Sequence, residues 1–210
     1  MIFNKNNKVA LLLPPKTGSR SLIEIAKKDT MCANIVCIDE NHIRYKDIAT
    51  IIPDVDSYTL YSFYRCPVER FLSNYAFSLH IWEITAKSIP FCDSKIPTIQ
   101  NISISDYLDI IESTEDFSLV DLITVDLAAP QVDWLDGTDI TLLDFRNFRQ
   151  EVLNISSALF DEELVEIPHI NNSGSEEYSS QLSEDILSRI KRLYARDYEF
   201  FGSQGITFDI

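Results

Sequence analysis

Residues 9–13, Val-Ala-Leu-Leu-Leu, form a short unbroken apolar run that passes through Pro14-Pro15 directly into Lys16-Thr17-Gly18-Ser19-Arg20-Ser21. Leu22, Ile25 and Ala26 then recur at helical spacing, with Lys27 and Lys28 closing the segment. A run this short, bounded by turn residues, suits a strand buried on both faces, which in turn requires a sheet covered by helices on both sides. The turn gathers backbone N–H groups, hydroxyls and a cation at a helix N-terminus, where the peptide dipoles favour negative charge. That combination is a seat for phosphate or sulfate.

Residues 58–64 read as another strand, rich in aromatics and Thr, followed by Arg65-Cys66-Pro67-Val68-Glu69-Arg70-Phe71-Leu72-Ser73-Asn74-Tyr75. Pro67 fits the first position of a helix, where its missing N–H costs nothing. Val68, Phe71, Leu72, Tyr75 and Leu79 fall on one stripe at spacings of three and four, and Glu69 and Ser73 lie off it, leaving Ser73 to face a ligand. Two anion-binding strand-to-helix turns, one with an arginine closing its strand and a serine eight residues later, point to a ligand phosphorylated at both ends.

Further strands are expected over 33–38 and 139–145, and helices over 43–52, 104–111, 119–125 and 148–159, with a turn at 53–56. Residues 84–104 read as a loop-like insertion containing Pro90 and Pro97. Ser183 caps a last helix with Glu184 and Asp185 in its first turn; Ile186, Ile190, Leu193, Tyr194, Tyr198 and Phe201 line its buried side, and Gly202 ends it. Alternating strands and helices predict an α/β fold with a mostly parallel central sheet flanked by helices, and ligands at the carboxyl ends of the strands. Its 210 residues show no composition break, so a single domain over 1–210 is expected.

The formal charge of −15 is unevenly distributed. Residues 1–92 hold 11 Lys/Arg against 9 Asp/Glu, residues 93–145 hold Lys95 alone against 12 acids, and residues 146–210 hold 6 against 12. Both anion-binding turns thus lie in the only part of the chain that is not acidic. A chain this acidic is a poor partner for nucleic acid and for a highly sulfated polysaccharide. No apolar run is long enough to span a bilayer, and the N-terminal residues lack the apolar segment of a secretion signal. Cys32, Cys37, Cys66 and Cys92 show no paired ligand spacing and read as free thiols in a reducing compartment.

These residues resemble the sulfotransferase superfamily, in particular the branch of carbohydrate sulfotransferases of the heparan and chondroitin type and their bacterial or viral relatives. Pro15-Lys16-Thr17-Gly18-Ser19-Arg20-Ser21 is similar to the family's 5′-phosphosulfate loop, and Tyr64 to Tyr75 to its 3′-phosphate motif, with Cys66 where an acidic residue or Asn is usual. Residues 131–135, Pro168-His169-Ile170-Asn171 and 193–201 echo the family in the same order, while 84–116 matches nothing in it and is expected to shape the acceptor cleft. The resemblance implies a P-loop-like three-layer sandwich and, as co-substrate, 3′-phosphoadenosine 5′-phosphosulfate (PAPS), leaving 3′-phosphoadenosine 5′-phosphate (PAP) as product. It implies that Lys16 meets the oxygen bridging phosphate and sulfate, and that the amides from Thr17 through Gly18, Ser19 and Arg20 to Ser21, with the Thr17, Ser19 and Ser21 hydroxyls, hold the 5′ end. Arg65 and Ser73 would hold the 3′-phosphate, the arginine through a charge-assisted fork. The chemistry implied is an in-line transfer to an acceptor hydroxyl, that of a carbohydrate in this branch, with no metal.

Of the histidines His42, His80 and His169, His42 stands between the two phosphate motifs, where the carbohydrate branch places its catalytic histidine, and an imidazole, with an unperturbed pKa of about 6.5, suits a general base. Glu69 is the reserve. Each residue also has a plainer reading: a capped helix start for 16–21, an ion pair for Arg65 or Arg70, helix decoration for Arg20, a helix-end position for His80, core packing for Trp82 and Trp134, and a solvated face for the acidic block. The missing membrane anchor points to a cytoplasmic microbial or viral enzyme. Two other functions compete: a nucleotide kinase of the P-loop class, against which Lys16 precedes the only glycine of its loop and GxxxxGK[ST] is absent, and a nucleotide- or glycan-binding protein without catalysis.

Overall fold

A computed structural model describes residues 1–28, 34–38, 43–88, 102–113, 126–135, 139–167 and 175–208. The chain divides into two compact units, Met1–Arg65 with Gln131–Asn171, and Cys66–Pro130 with Asn172–Ile210.

The first unit is α/β. Its open five-stranded sheet comprises β1 (Ile2–Asn4), β2 (Val9–Leu12), β3 (Ile35–Cys37), β4 (Thr59–Tyr64) and β5 (Ile140–Asp144), in the order β3-β1-β2-β4-β5. Its helices are α1 (Ser19–Lys28), α2 (Ile48–Ile51), α5 (Val132–Leu135) and α6 (Phe148–Phe160). The apolar run at 9–13 is buried on both faces, as its composition requires. Val9, Leu11 and Leu13 pack with Ile2, Phe63 and Leu143 beneath Leu22 and Ile25 of α1 and Val152, Ile155 and Leu159 of α6. Ala10 and Leu12 pack with Phe3 and Leu60 against Ile48 and Ile52 on the opposite face. Each fully buried Leu here is worth roughly 1.5–3 kcal/mol of transfer free energy.

The sheet is mixed rather than mostly parallel. β2 pairs parallel with β4 and β4 with β5, but β1 pairs antiparallel with both β2 and β3. The strand β1, absent from the sequence reading, enters through a tight hairpin. Asn4 Oδ1 accepts from the N–H groups of Asn6 and Asn7 at 3.0 and 3.1 Å, and Lys8 closes the turn at a φ of 54°. The same buried Asn4 donates from Nδ2 to Asp161 Oδ1 at 2.8 Å, tying the hairpin to the residue whose left-handed φ of 60° ends α6. The helix expected over 43–52 shortens to a 3-10 turn at Tyr45–Asp47 followed by α2.

The second unit is helical: α3 (Pro67–Ser88), α4 (Ile104–Glu112), α7 (Glu184–Leu193) and α8 (Ala195–Ser203). Val68, Phe71, Leu72 and Tyr75, the predicted stripe, bury against Tyr107, Leu108 and Ile111 of α4 and Ile190 of α7. Helix α3 starts at Pro67 as expected but continues to Ser88, so 84–88 is helix and not the start of a loop. Ser103 and Asp106 form a reciprocal capping box on α4, and Ser183 caps α7 by accepting from the N–H of Ile186 at 3.3 Å. The single last helix expected up to Gly202 is two, broken at Tyr194. The helix expected over 119–125 lies outside the described residues. Among the described residues no helix is long and apolar enough to cross a membrane.

Candidate anion-binding site

Because β2 and β4 are parallel neighbours, both end at the same edge of the sheet. From β2 the chain runs through α1 to β3, beyond β1; from β4 it goes on to β5 on the other side. The two exits therefore diverge at a topological switch point, where open α/β sheets place ligands outside the strands' carboxyl ends. The turn at 14–18 follows β2, and Arg65 follows β4.

That turn has an unusual backbone. Lys16 takes a φ of 67° and Gly18 a φ of 83°, with Thr17, between them, on the negative side. Alternation of this kind swings successive N–H groups toward one side, the arrangement of an anion-binding nest, and it leads into the N-terminus of the ten-residue α1. A left-handed lysine costs about 1–2 kcal/mol relative to an ordinary backbone, so the surroundings must hold it. Part of the hold is Thr17, fully buried, whose hydroxyl donates to the Pro14 carbonyl at 2.7 Å. This hydroxyl proton serves the turn itself and is not directed at a ligand.

Arg65 supplies another part. Its Nη1 donates to the Lys16 carbonyl at 3.3 Å, and its guanidinium carbon stands 4.7 Å from the centroid of the Phe145 ring. Its main chain is gripped from the other side: the Arg65 N–H donates to Gln131 Oε1 at 3.0 Å, and Gln131 Nε2 donates to the Arg65 carbonyl at 2.7 Å. The fully buried Gln131 amide thus extends the ladder one residue past β4.

Below the turn lie two rings. A Cβ added to Gly18 would come within 2.5 Å of Phe148 Cε2, 2.9 Å of Phe148 Cζ and 3.2 Å of Phe145 Cε2. Phe148 packs on Phe63 at 4.9 Å and on Phe145 at 5.4 Å between centroids. The rings are set by the end of β5, where Asp144 accepts from the N–H of Arg146 at 2.9 Å and ion-pairs with its guanidinium at 2.8 Å. Burial pushes the Asp144 carboxyl up, but the hydrogen bonds and charge of Arg146 outweigh it and hold the group below the usual carboxylate range. Burial, with the Asp144 charge added, raises the neighbouring Tyr64 hydroxyl.

The structure therefore brings Lys16, Thr17, Gly18 and Arg65 together at one sheet edge, with Ser19 half-buried and Ser21 buried on the first turn of α1. Arg20 is exposed on that helix. Ser73, in the second unit, is only 4% exposed while Glu69 is exposed, so the off-stripe face of α3 is not uniformly open as its spacing implied. Arg70 is 1% exposed and donates to the carbonyls of Leu127 and Ala129 beneath the Tyr194 ring, which makes it an anchor for the 126–130 segment. His80 is exposed, and Trp134 is buried, with the Arg44 guanidinium 5.4 Å from its ring centroid. His42 and His169 lie outside the described residues. Among the described residues no three His, Cys, Asp or Glu side chains converge as metal ligands would.

Phe145, Phe148 and the Gln131 grip are what the sequence reading missed. Residues 131–135 entered it only as an echo of a family, and nothing local to Gly18 announces two rings some 130 positions away. Chemically, the edge offers oriented N–H groups, a lysine and an arginine, a set that binds an oxyanion and stabilises negative charge forming on it. No family model, curated protein or solved structure matches the chain.

Proposed function

We propose that this chain is a sulfotransferase that takes the sulfuryl group from PAPS to an acceptor hydroxyl, that of a carbohydrate, within a P-loop-like three-layer fold. The observation that carries the reading is the Lys16-Thr17-Gly18 turn, alternating in the sign of φ and hydrogen-bonded to Arg65 across the switch point between β2 and β4. In this reading the turn cradles the phosphosulfate and Arg65 meets the 3′-phosphate. The acceptor oxygen attacks sulfur in line as the bond from sulfur to the 5′-phosphate oxygen breaks. The hydroxyl proton passes to a base, for which His42 is the candidate, and PAP departs. Lys16 neutralises the charge that builds on the departing phosphate, and positioning with charge stabilisation supplies the acceleration.

The kinase reading has less support, since Lys16 stands before the glycine and the triphosphate loop pattern is absent. Calorimetric titration with PAP, 5′-AMP and ATP with magnesium separates the two. Binding that needs the 3′-phosphate and ignores magnesium is expected; a preference for ATP with magnesium would sink the sulfotransferase reading. Lys16→Ala should abolish transfer while weakening PAP only in part, because the amides of the turn remain. If donor binding survives and no acceptor is sulfated, a binding protein without catalysis takes its place.

A further inference from the structure

Arg65 enters the proposed function as a ligand for the distant 3′ end of the nucleotide, yet it also reaches the Lys16 turn, which that reading gives to the 5′ end. Its Nη1 donates to the carbonyl of Lys16, the residue that holds a left-handed backbone. Its guanidinium lies over Phe145, whose neighbour Phe148 presses on Gly18 of the same turn. Its own main chain is fixed on both polar atoms by Gln131, so the guanidinium starts from a pinned backbone.

We infer that Arg65 is a positioning residue for Lys16: a brace, set on Phe145 and anchored by Gln131, that holds the Lys16 turn in its anion-binding shape whether or not a 3′-phosphate is present. The inference rests on the sulfotransferase reading for the identity of the ligand, but the brace is a property of the turn's own contacts. Lysine cannot replace arginine here. It keeps the positive charge, yet it has neither the planar fork that reaches the Lys16 carbonyl nor the flat cation that stacks on the ring. Phe145→Leu makes the complementary change, removing the ring and leaving the arginine.

The test has a part without ligand and a part with one. NMR order parameters are measured for the amides of residues 16–19 and, as control, 9–12, in the unmodified protein, Arg65→Lys and Phe145→Leu. The brace predicts values falling from about 0.85 toward 0.6 in the turn for both variants, with the strand unchanged. Affinity is then measured for adenosine 5′-phosphosulfate, which lacks the 3′-phosphate. If Arg65 served only that phosphate, Arg65→Lys would leave this ligand untouched; the brace predicts a loss of about tenfold, the scale of one charge-assisted hydrogen bond. Unchanged order parameters in both variants, or unchanged affinity in a protein that binds the ligand, overturns the inference. A protein that binds neither this ligand nor PAP overturns the sulfotransferase reading instead, and the order parameters alone then decide the brace.

Discussion

Replacing Gly18 by Ala probes the turn from beneath. The substitution meets two separate penalties. A Cβ at a φ of 83° costs about 1–2 kcal/mol for any residue other than glycine. The same Cβ would sit 2.5 Å from Phe148 Cε2, well inside contact, and that ring cannot swing away freely because Phe63 and Phe145 hold it. Overpacking of this kind costs about 1–3 kcal/mol. The reduced freedom of alanine in the unfolded chain returns about 0.4–1 kcal/mol. The net is a destabilisation of about 2–4 kcal/mol, read as a fall of about 1–2 M in the urea midpoint for a chain with an ordinary slope. The double variant Gly18→Ala with Phe148→Leu separates the penalties: it relieves the clash and leaves the backbone term. A favourable coupling of about 1–3 kcal/mol between the two changes is therefore expected. Strict additivity, or a Gly18→Ala protein within about 0.5 kcal/mol of the original, would refute the account of ring against turn.

Gln131→Leu leaves the Arg65 N–H and C=O without the partners that the amide gives them and should cost about 2–5 kcal/mol in urea unfolding; Gln131→Glu, which buries a carboxylate against the Arg65 carbonyl, should cost no less. Burial pushes the Tyr194 hydroxyl up to about 12 from an ordinary 10, with its proton donated to the Ala128 carbonyl. A raised folded-state pKa contributes stability that is intact below pH 10 and lost as pH rises toward 12, about 3 kcal/mol in all, so Tyr194→Phe should flatten the alkaline limb of a stability profile. Asp144 runs the other way: its lowered pKa contributes stability present above an ordinary 3.8 and lost as pH falls through the folded value. Asp144→Asn should therefore shrink the acid dependence, and an unaltered acid limb would show that the pairing with Arg146 adds nothing.

What the sequence disclosed follows the range of the forces involved. The run from β2 into α1 was readable because burial on both faces and a helical stripe are written in consecutive residues. Pro67 opening α3 was readable for the same reason. The strand β1 was not, since three residues give no period and the loop after it carries no glycine; what closes that loop is the Asn4 side chain, accepting from the N–H groups of Asn6 and Asn7. Its antiparallel entry is also why the sheet is mixed. The break at Tyr194 left no trace, because Ile190 and Tyr194 before it and Phe201 after it continue one apolar stripe. In the site, Lys16, Gly18 and Arg65 carried their chemistry in their own residue types. The rings under Gly18 act across about 130 positions of chain, and the amide gripping Arg65 across 66, and only the fold brings them near. Arg70 meets neither of the partners its residue type suggests, a carboxylate or a ligand: it donates to the main-chain carbonyls of Leu127 and Ala129.

The Arg65–Gln131 grip has a meaning for how such a chain changes over generations. Arg65 is where the main chain leaves the sheet unit, and Gln131 is where it returns. Two hydrogen bonds join these residues like the drawstring of a purse, so everything in Cys66–Pro130 is an excursion whose mouth is already tied. With the mouth fixed, each doubling of a flexible turn within the excursion costs only about 0.6 kcal/mol of closure entropy. Insertions in the turns of that segment can lengthen it while Arg65 and Gln131 stay paired at its two ends.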